Sequence, residues 1–226
     1  MIPLPRPLIL ASSSPRRQFL MKEIGFEFTV QSPDIDESFP NNLPAVLVPK
    51  YLAEKKARVF EKNISNEIVI SSDTIVILNN EILNKPLDRK EAIAMLIKLS
   101  GETHTVITAV CLFGKEKIDC FDDRTEVTFK ILTQEEIEFY VDTYKPYDKA
   151  GAYGAQDCLP AGVNPCSPIE ISFLKKINRV ELIEKTFTRT AAGIGMVAIE
   201  KINGSYFTVM GMPMHLVYSH LQKFIA

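Results

Sequence analysis

Residues 7–25 read PLILASSSPRRQFLMKEIG, and the order of their signals decides the fold class. Leu8, Ile9 and Leu10 form a short apolar run bounded by the serines 12–14, the pattern of a buried strand that opens into a loop. Ser14-Pro15 reads as an N-cap followed by proline at the first helical position. Leu20 and Ile24 lie four apart with Met21 between them, which gives the helix an apolar face, and Gly25 stops it. The chain therefore starts as strand, loop, helix.

Outward from this unit, Phe26, Phe28 and Val30 alternate with polar neighbours and predict a half-buried strand. Pro49 to Lys62 predicts a helix of about four turns. Glu67 to Ser72 predicts a β-branched strand that ends at Asp73, with further β-like sequence through Leu83. Asp88 and Glu91 form a D-x-x-E capping pattern ahead of Ala92, Met95, Leu96 and Leu99, which share one helical face. Thr103 to Phe113 and Glu126 to Leu132 read as strands, and Thr133 with Glu136 opens another capped helix. Beyond Lys149 the chain reads as loop, rich in Gly, Pro and Ala, as far as Gly193. Met196 to Ile202 predicts a strand, Asn203-Gly204 a tight turn, and Pro213 the start of a last helix. Strands and helices interleave without strict βα alternation. That order implies an α/β fold with a mixed β-sheet flanked by helices.

A chain of 226 residues suits one large domain or two small lobes that share a core. The net charge of −2 gives no global attraction to nucleic acid or to an anionic membrane. Any phosphate-binding surface is then a local cluster of cations. The apolar runs are too short to span a bilayer, and residues 1–11 carry three prolines around an apolar run of four, too little for a signal peptide. Cys111, Cys120, Cys158 and Cys166 form no CxxC pair, which favours reduced thiols in a cytoplasmic protein over a Cys158–Cys166 disulfide.

Several polar residues stand where packing alone does not explain them. Backbone N–H groups at a helix start lack partners and carry positive potential, so Ser14, Arg16 and Arg17 at such a start suit an anion such as a polyphosphate. The competing reading is an ordinary capped helix with solvated arginines. Lys56 lies four residues from Leu52 and from Phe60, within an apolar stripe, so it either snorkels or points into a cleft. Asp73, after the strand IVISS, is a metal ligand, a base or simply a turn cap. Glu37, in DIDE at 34–37, is a second carboxylate for a metal or part of a solvated loop. Lys85-Pro86 offers a further cation, and Gln156 an amide able to read a base edge. His104, His215 and His220 show no ligand spacing and read as structural. Several cations, two carboxylates and no Cys/His or Ser/His nucleophile suit metal-assisted phosphoryl chemistry. No GxGxxG or GxxxxGK[ST] is present, so neither a Rossmann nor a Walker-type site is expected.

The segments LASSSPRRQFL, DIDES, LAEKKA, SSDTIV, ILNKPLDRKEAIAML, LSGETHTVITAV, YDKAGAYGAQ, INGSY and VMGMP, in this order, resemble the Maf family. The resemblance implies a two-lobed α/β protein with a central cleft, often a homodimer, which hydrolyses a nucleoside triphosphate between its α- and β-phosphates with a divalent metal, Mg²⁺ or Mn²⁺. It carries function onto Ser14, Arg16, Arg17, Glu37, Lys56, Asp73, Lys85 and Gln156, with Asp73 as proton acceptor or metal ligand and Glu37 beside it as metal ligand. Arg16, Thr74 and Gln156 match the subfamily that takes dTTP and UTP, rather than the one that takes 7-methyl-GTP. The rival expectations are the same chemistry on a purine nucleotide, and a nucleotide-sensing regulator of cell division without turnover. No membrane or nucleic-acid partner is expected.

Two departures accompany the resemblance. Asn84 replaces the glycine usual before Lys-Pro. Residues 157–192, with a polar helical-looking part from Ile169 to Lys185, have no counterpart in the common pattern, so the chain reads as a single domain over 1–226 with an unmatched insertion, which would act as a lid, a dimer contact or a surface excursion.

Overall fold

The computed structural model describes residues 2, 4–160, 162–183 and 197–226. Its strands are β1 (Leu8–Leu10), β2 (Thr29–Val30), β3 (Ile68–Leu78), β4 (Glu81–Leu83), β5 (Thr103–Phe113), β6 (Ile118–Phe129) and β7 (Ile199–Asn203). Its helices are α1 (Pro15–Ile24), α2 (Val48–Arg58), α3 (Arg89–Leu99), α4 (Gln134–Tyr144), α5 (Ala155–Cys158), α6 (Pro168–Lys176), α7 (Tyr206–Met210) and α8 (Met214–Ile225). The strands form one sheet in the order β2-β1-β3-β5-β6-β7, with β4 paired to β3. β1 runs parallel to β2 and β3, whereas the β3–β4 and β6–β7 pairs are antiparallel. The fold is thus the mixed sheet with flanking helices implied by the sequence.

The chain divides into two compact units. The first comprises Met1–Thr74, Ile107–Asp123 and Gly211–Ala226. Its core joins Ile9, Val69, Ala109, Cys111 and Phe113 of the sheet to Ala53, Ala57 and Phe60 of the α2 segment. Ala53 and Ala57 are small, so α2 approaches the strands closely. Leu8, Leu10, Ile68 and Ile70 alternate with these residues and are also buried, so the other sheet face is covered too. Each such side chain contributes about 1.5–3 kcal/mol on burial. α1 buries Leu20, Met21 and Ile24. Gly25, at φ 100°, ends it, with Gly25 N–H donating to Lys22 O and Phe26 N–H to Met21 O.

The second unit comprises Ile75–Val106 and Arg124–Met210. Asn79 and Asn80, at φ 49° and 67°, make the two-residue turn between β3 and β4. Asp88 caps α3 by accepting from Glu91 N, but Glu91 answers by accepting from Leu87 N rather than from Asp88 N. Thr133 and Glu136 form a complete capping box on α4. Ser167 and Glu170 form another on α6, with Pro168 in its first turn. The Glu170 carboxylate is fully buried. Besides Ser167 N and Oγ, it accepts from Ser205 Oγ at 2.7 Å, Tyr206 N at 3.1 Å and Phe207 N at 2.7 Å. One carboxylate therefore satisfies the N-termini of both α6 and α7, where the helix dipoles favour negative charge.

Several local expectations need correction. β3 does not end at Asp73 but continues to Leu78, because Ile75, Val76 and Leu78 extend the buried apolar run. α2 has three turns, not four: Phe60 N bonds Ala57 O, three residues back, and that tightening ends the helix. β2 holds only Thr29 and Val30, both exposed, since Phe26 is used in the closing turn of α1. Ser14 occupies the N-cap of α1, yet its side chain makes no cap bond. The turn expected at Asn203-Gly204 leads β7 into α7. A Cβ on Gly204, at φ +133°, would lie 2.6 Å from Thr125 Oγ1. The stretch after Lys149 carries α5 and α6, and α6 ends at Lys176. The expected helical stretch to Lys185, the end of the 157–192 segment and the start of a strand at Met196 fall partly on residues 184–196, outside the described ones. Within 157–183, Glu170, Phe173, Leu174 and Leu182 are buried. Cys158 and Cys166 are free thiols, as are Cys111 and Cys120.

Candidate active site

The polar stretch Ser71-Ser72-Asp73-Thr74 lies inside β3, and strand alternation deals its side chains to opposite faces. Ser71 and Asp73 turn toward α2. Ser71 Oγ donates to Ala53 O at 2.6 Å, and Lys56 Nζ meets Asp73 Oδ1 at 2.6 Å. Lys56 Nζ also meets Glu37 Oε1 at 2.7 Å. Lys56 and Asp73 are buried, whereas the Glu37 side chain is 47% exposed. Lys55 Nζ donates to Ser38 O at 2.9 Å, so two consecutive lysines of α2 hold the loop that carries Glu37. Lys56 neither snorkels nor packs as an apolar stem. It binds two carboxylates that converge on one nitrogen. Asp73 Oδ2 makes no hydrogen bond among the described residues.

Ser72 and Thr74 face the other way. Ser72 Oγ donates to Gly211 O at 3.0 Å, and the same carbonyl accepts from Arg17 Nε at 2.9 Å. Arg17 Nη2 donates to Thr74 Oγ1 at 3.1 Å, and Arg17 Nη1 to Ser12 Oγ at 3.3 Å. Thr74 Oγ1 further lies 2.9 Å from the buried Thr108 Oγ1. Three of the five guanidinium N–H groups of Arg17 are thus committed inside the protein, and the Thr74 hydroxyl is engaged rather than open. Burial lowers the Arg17 pKa, Asp73 opposes that shift, Arg16 adds to it and Glu37 opposes it more weakly. The guanidinium stays charged. Gly211 sits at φ +101°, and a Cβ there would stand 3.3 Å from Thr74 Oγ1 and 3.5 Å from Arg17 Nε.

The structure therefore groups the expected site residues of the first unit into two sets. Glu37, Lys56 and Asp73 form one. Arg17 and Thr74 form the other, together with Ser12 of the serine loop and with Ser72, Thr108 and Gly211, which the sequence reading did not single out. The glycine in VMGMP was the legible signal for Gly211. Ser14 and the half-buried Arg16 begin α1, where the Ser14 hydroxyl leaves the first N–H groups uncapped by a side chain.

In the second unit, Lys85 is exposed on the segment after β4. Asn84 has no positive φ, so it does not need the glycine usual there, and its carbonyl accepts from Gly151 N at 3.2 Å. Gln156 lies in α5. Its Nε2 donates to Asp157 Oδ2 at 3.2 Å, and its Oε1 is enclosed without a hydrogen-bond partner. The segment before it is pinned twice. Tyr153 OH lies 2.8 Å from His104 Nε2, and Gly154 N donates to Tyr140 OH at 3.0 Å. Burial lowers the His104 pKa to about 3, so the ring is neutral, in keeping with a structural histidine. His220 pairs with Asp119 at 2.7 Å and stacks on Phe121, and His215 lies 3.8 Å from Asp123.

No cluster of three or more His, Cys, Asp or Glu groups able to hold a metal occurs among the described residues. Asp73 and Glu37 nevertheless supply hard oxygen donors that already converge on a cation. Mg²⁺ is commonly held by one or two carboxylates, with waters and substrate phosphates completing the shell. The donor set fits such an ion. No helix among the described residues is long and apolar enough to cross a membrane.

Comparison with known proteins places these residues in a family. The family profile described as Maf-like protein matches residues 7–165. A dTTP/UTP pyrophosphatase of Flavobacterium psychrophilum is 40% identical over 215 residues, covering 95% of this chain and 92% of its own. A dTTP/UTP pyrophosphatase of Bacteroides fragilis is 38% identical over 218 residues, covering 96% and 95%. Among solved structures, the Staphylococcus aureus Ham1 protein aligns with 55% of this chain and 72% of its own at 17% identity and a TM-score of 0.42. The profile spans most of the chain and the relatives nearly all of it, over the segments that hold Lys56, Asp73 and Gln156: the chain belongs to the Maf-like family.

Proposed function

We propose that this chain is a nucleoside triphosphate pyrophosphatase that hydrolyses dTTP and UTP to the monophosphate and pyrophosphate. The relatives of that name support the activity and the substrates. The observation that carries the reading is the buried Asp73 held at Oδ1 by Lys56, with Glu37 on the same ammonium and Oδ2 left for chemistry.

In this reading Glu37 and Asp73 would hold the divalent ion. A bound Mg²⁺ or Mn²⁺ neutralises phosphate charge and makes a water more acidic. Lys56 fixes the two carboxylates, so their approach costs no reorganisation during turnover. Asp73, through Oδ2, would either join Glu37 on that ion or accept the proton of the attacking water. Ser14, Arg16, Arg17 and Lys85 bind phosphate oxygens, Arg17 through the N–H groups its internal bonds leave over. Thr74 and Gln156 belong to base recognition, and the Gln156 amide offers both a donor and an acceptor to uracil or thymine. Water adds at the α-phosphorus as the bond to the bridging oxygen breaks, and pyrophosphate leaves. The free thiols support a reducing, cytoplasmic setting. Homodimerisation belongs to the same proposal and is read by analytical ultracentrifugation.

A nucleotide panel with Mg²⁺ or Mn²⁺, with products separated by chromatography, tests the activity. UTP and dTTP should lead the panel and yield the monophosphate with pyrophosphate. A diphosphate with inorganic phosphate would overturn the reaction type, and binding without turnover would favour a nucleotide sensor. Preference for 7-methyl-GTP would overturn the substrate assignment.

A further inference from the structure

Gln156 can read a pyrimidine only if its amide is held the right way round. The exchangeable edges of uracil and cytosine are complementary opposites. Uracil presents a carbonyl oxygen beside an N–H, whereas cytosine presents an amino group beside a bare ring nitrogen. A freely rotating glutamine amide pairs with either edge by exchanging its oxygen and nitrogen, because each end suits one pattern. Gln156 alone would therefore not separate UTP from CTP.

Its neighbour removes that freedom. Asp157 Oδ2 lies 3.2 Å from Gln156 Nε2, and a carboxylate only accepts, so it selects the orientation with the nitrogen toward it. The flipped amide would set Oε1 against the carboxylate, oxygen on oxygen. Gly154 makes room for this pair. A Cβ there would fall 2.5 Å from Asp157 Oδ2 and 2.7 Å from Gln156 Nε2, although its φ is one that alanine adopts without strain. Gln156 Oε1 is left enclosed and without a donor. An amide oxygen only accepts, so a base that pairs with it must bring an N–H. The imide N–H of uracil or thymine does so, and the bare ring nitrogen of cytosine does not.

We infer that Asp157 is a specificity-determining positioning residue, which locks the Gln156 amide so that the site takes uracil and thymine nucleotides and rejects cytosine nucleotides. The inference rests on the pyrophosphatase reading above. Asp157 itself touches no substrate. A mismatched hydrogen-bond pair at an enclosed site lowers kcat/KM by about 5- to 150-fold, which bounds the preference this lock can create.

The test measures kcat/KM for UTP, CTP and N3-methyl-UTP on the wild type, Asp157→Asn and Gly154→Ala. Asparagine has nearly the same shape but can donate as well as accept, so both orientations of Gln156 become available. The UTP:CTP ratio should fall by about tenfold or more in Asp157→Asn, through a gain on CTP, and in the same direction in Gly154→Ala. The wild type should discriminate against N3-methyl-UTP by about tenfold or more, a measurement that stands even if a variant fails to fold. A purely structural Asp157 would lower both substrates together and leave the ratio unmoved, and that result overturns the inference. Wild-type turnover of N3-methyl-UTP equal to that of UTP also overturns it. Failure of the wild type to hydrolyse UTP at all refutes the pyrophosphatase reading instead.

Discussion

Replacing Glu170 with alanine removes one carboxylate and strips acceptors from two helices. In the native protein its Oε2 accepts from Ser167 N, Ser167 Oγ and Tyr206 N, and its Oε1 from Ser205 Oγ and Phe207 N. Ser167 Oγ still caps α6 through Glu170 N, so that helix loses only one arm of its capping box. α7 loses more, because Tyr206 N and Phe207 N are left buried without their acceptor. A buried unsatisfied donor costs about 1–3 kcal/mol, and water entering the space vacated by the carboxylate brings both toward the lower end. Adding about 1 kcal/mol for the lost cap gives about 3–4 kcal/mol in all. At about 2–4 °C per kcal/mol for a chain of this size, Tm falls by about 6–16 °C. Glu170→Gln keeps the shape and the acceptor at one end but turns an amino group toward native donors, so it should fall between parent and alanine. Urea unfolding followed by circular dichroism, with the three proteins side by side, measures the order. An alanine variant within 1 kcal/mol of the parent, or a glutamine variant less stable than alanine, refutes the account of Glu170 as a shared cap.

Asp73→Asn should lower kcat by about 10²-fold or more while the fold is preserved, because the amide cannot take up a proton from water. Unchanged turnover would remove Asp73 from the chemistry. Gly211→Ala places a side chain at φ +101° and against Thr74 Oγ1, so it should cost about 1–3 kcal/mol of stability and raise KM for UTP by displacing Arg17; a variant with parental stability and KM would show that the close approach is dispensable. His104 has its folded pKa lowered to about 3, against an ordinary 6.5 when unfolded, so the unfolded chain binds the extra proton first as pH falls. Stability is therefore lost below about pH 6.5, by about 2 kcal/mol at pH 5, and His104→Phe should flatten the pH dependence between 5 and 7 by about one proton. An unaltered slope in that variant would assign the acid limb to other groups.

The parts of the fold that were legible in the sequence are those fixed by neighbours a few residues away. Ser14-Pro15 and Gly25 bracket α1, Thr133 with Glu136 opens α4, and the β-branched run after Glu67 is a strand, because caps and periodicity act within one turn or one pleat. The strand end at Asp73 failed for a physical reason. A charged residue inside an apolar run argues for a terminus unless its charge is met, and the group that meets it, Lys56, lies 17 residues back on α2. The same blindness applied to Gly211, whose carbonyl serves Ser72 and Arg17 across 139 and 194 residues of chain. Glu170 was different. Ser167, Pro168 and Glu170 spell a capping box with proline at the first turn, a local signal that was present and unread.

The site owes its arrangement to period two rather than to the identity of any one residue. Four consecutive polar side chains in the middle of a buried strand would ordinarily break it, since each unmet group costs more than a strand bond returns. Here alternation sends Ser71 and Asp73 to α2, where Ala53 O and Lys56 receive them, and Ser72 and Thr74 to Gly211 and Arg17. Every one of the four thus has a partner fixed by the fold. A one-residue slip in the register of β3 would exchange the two faces at once, setting Asp73 against the Gly211 carbonyl and Thr74 against Lys56. Register, and with it the placement of the reacting carboxylate, is consequently fixed by polar as well as apolar contacts. The apolar residues of β3 bury both faces and so discriminate weakly between registers, whereas the SSDT stretch admits only one.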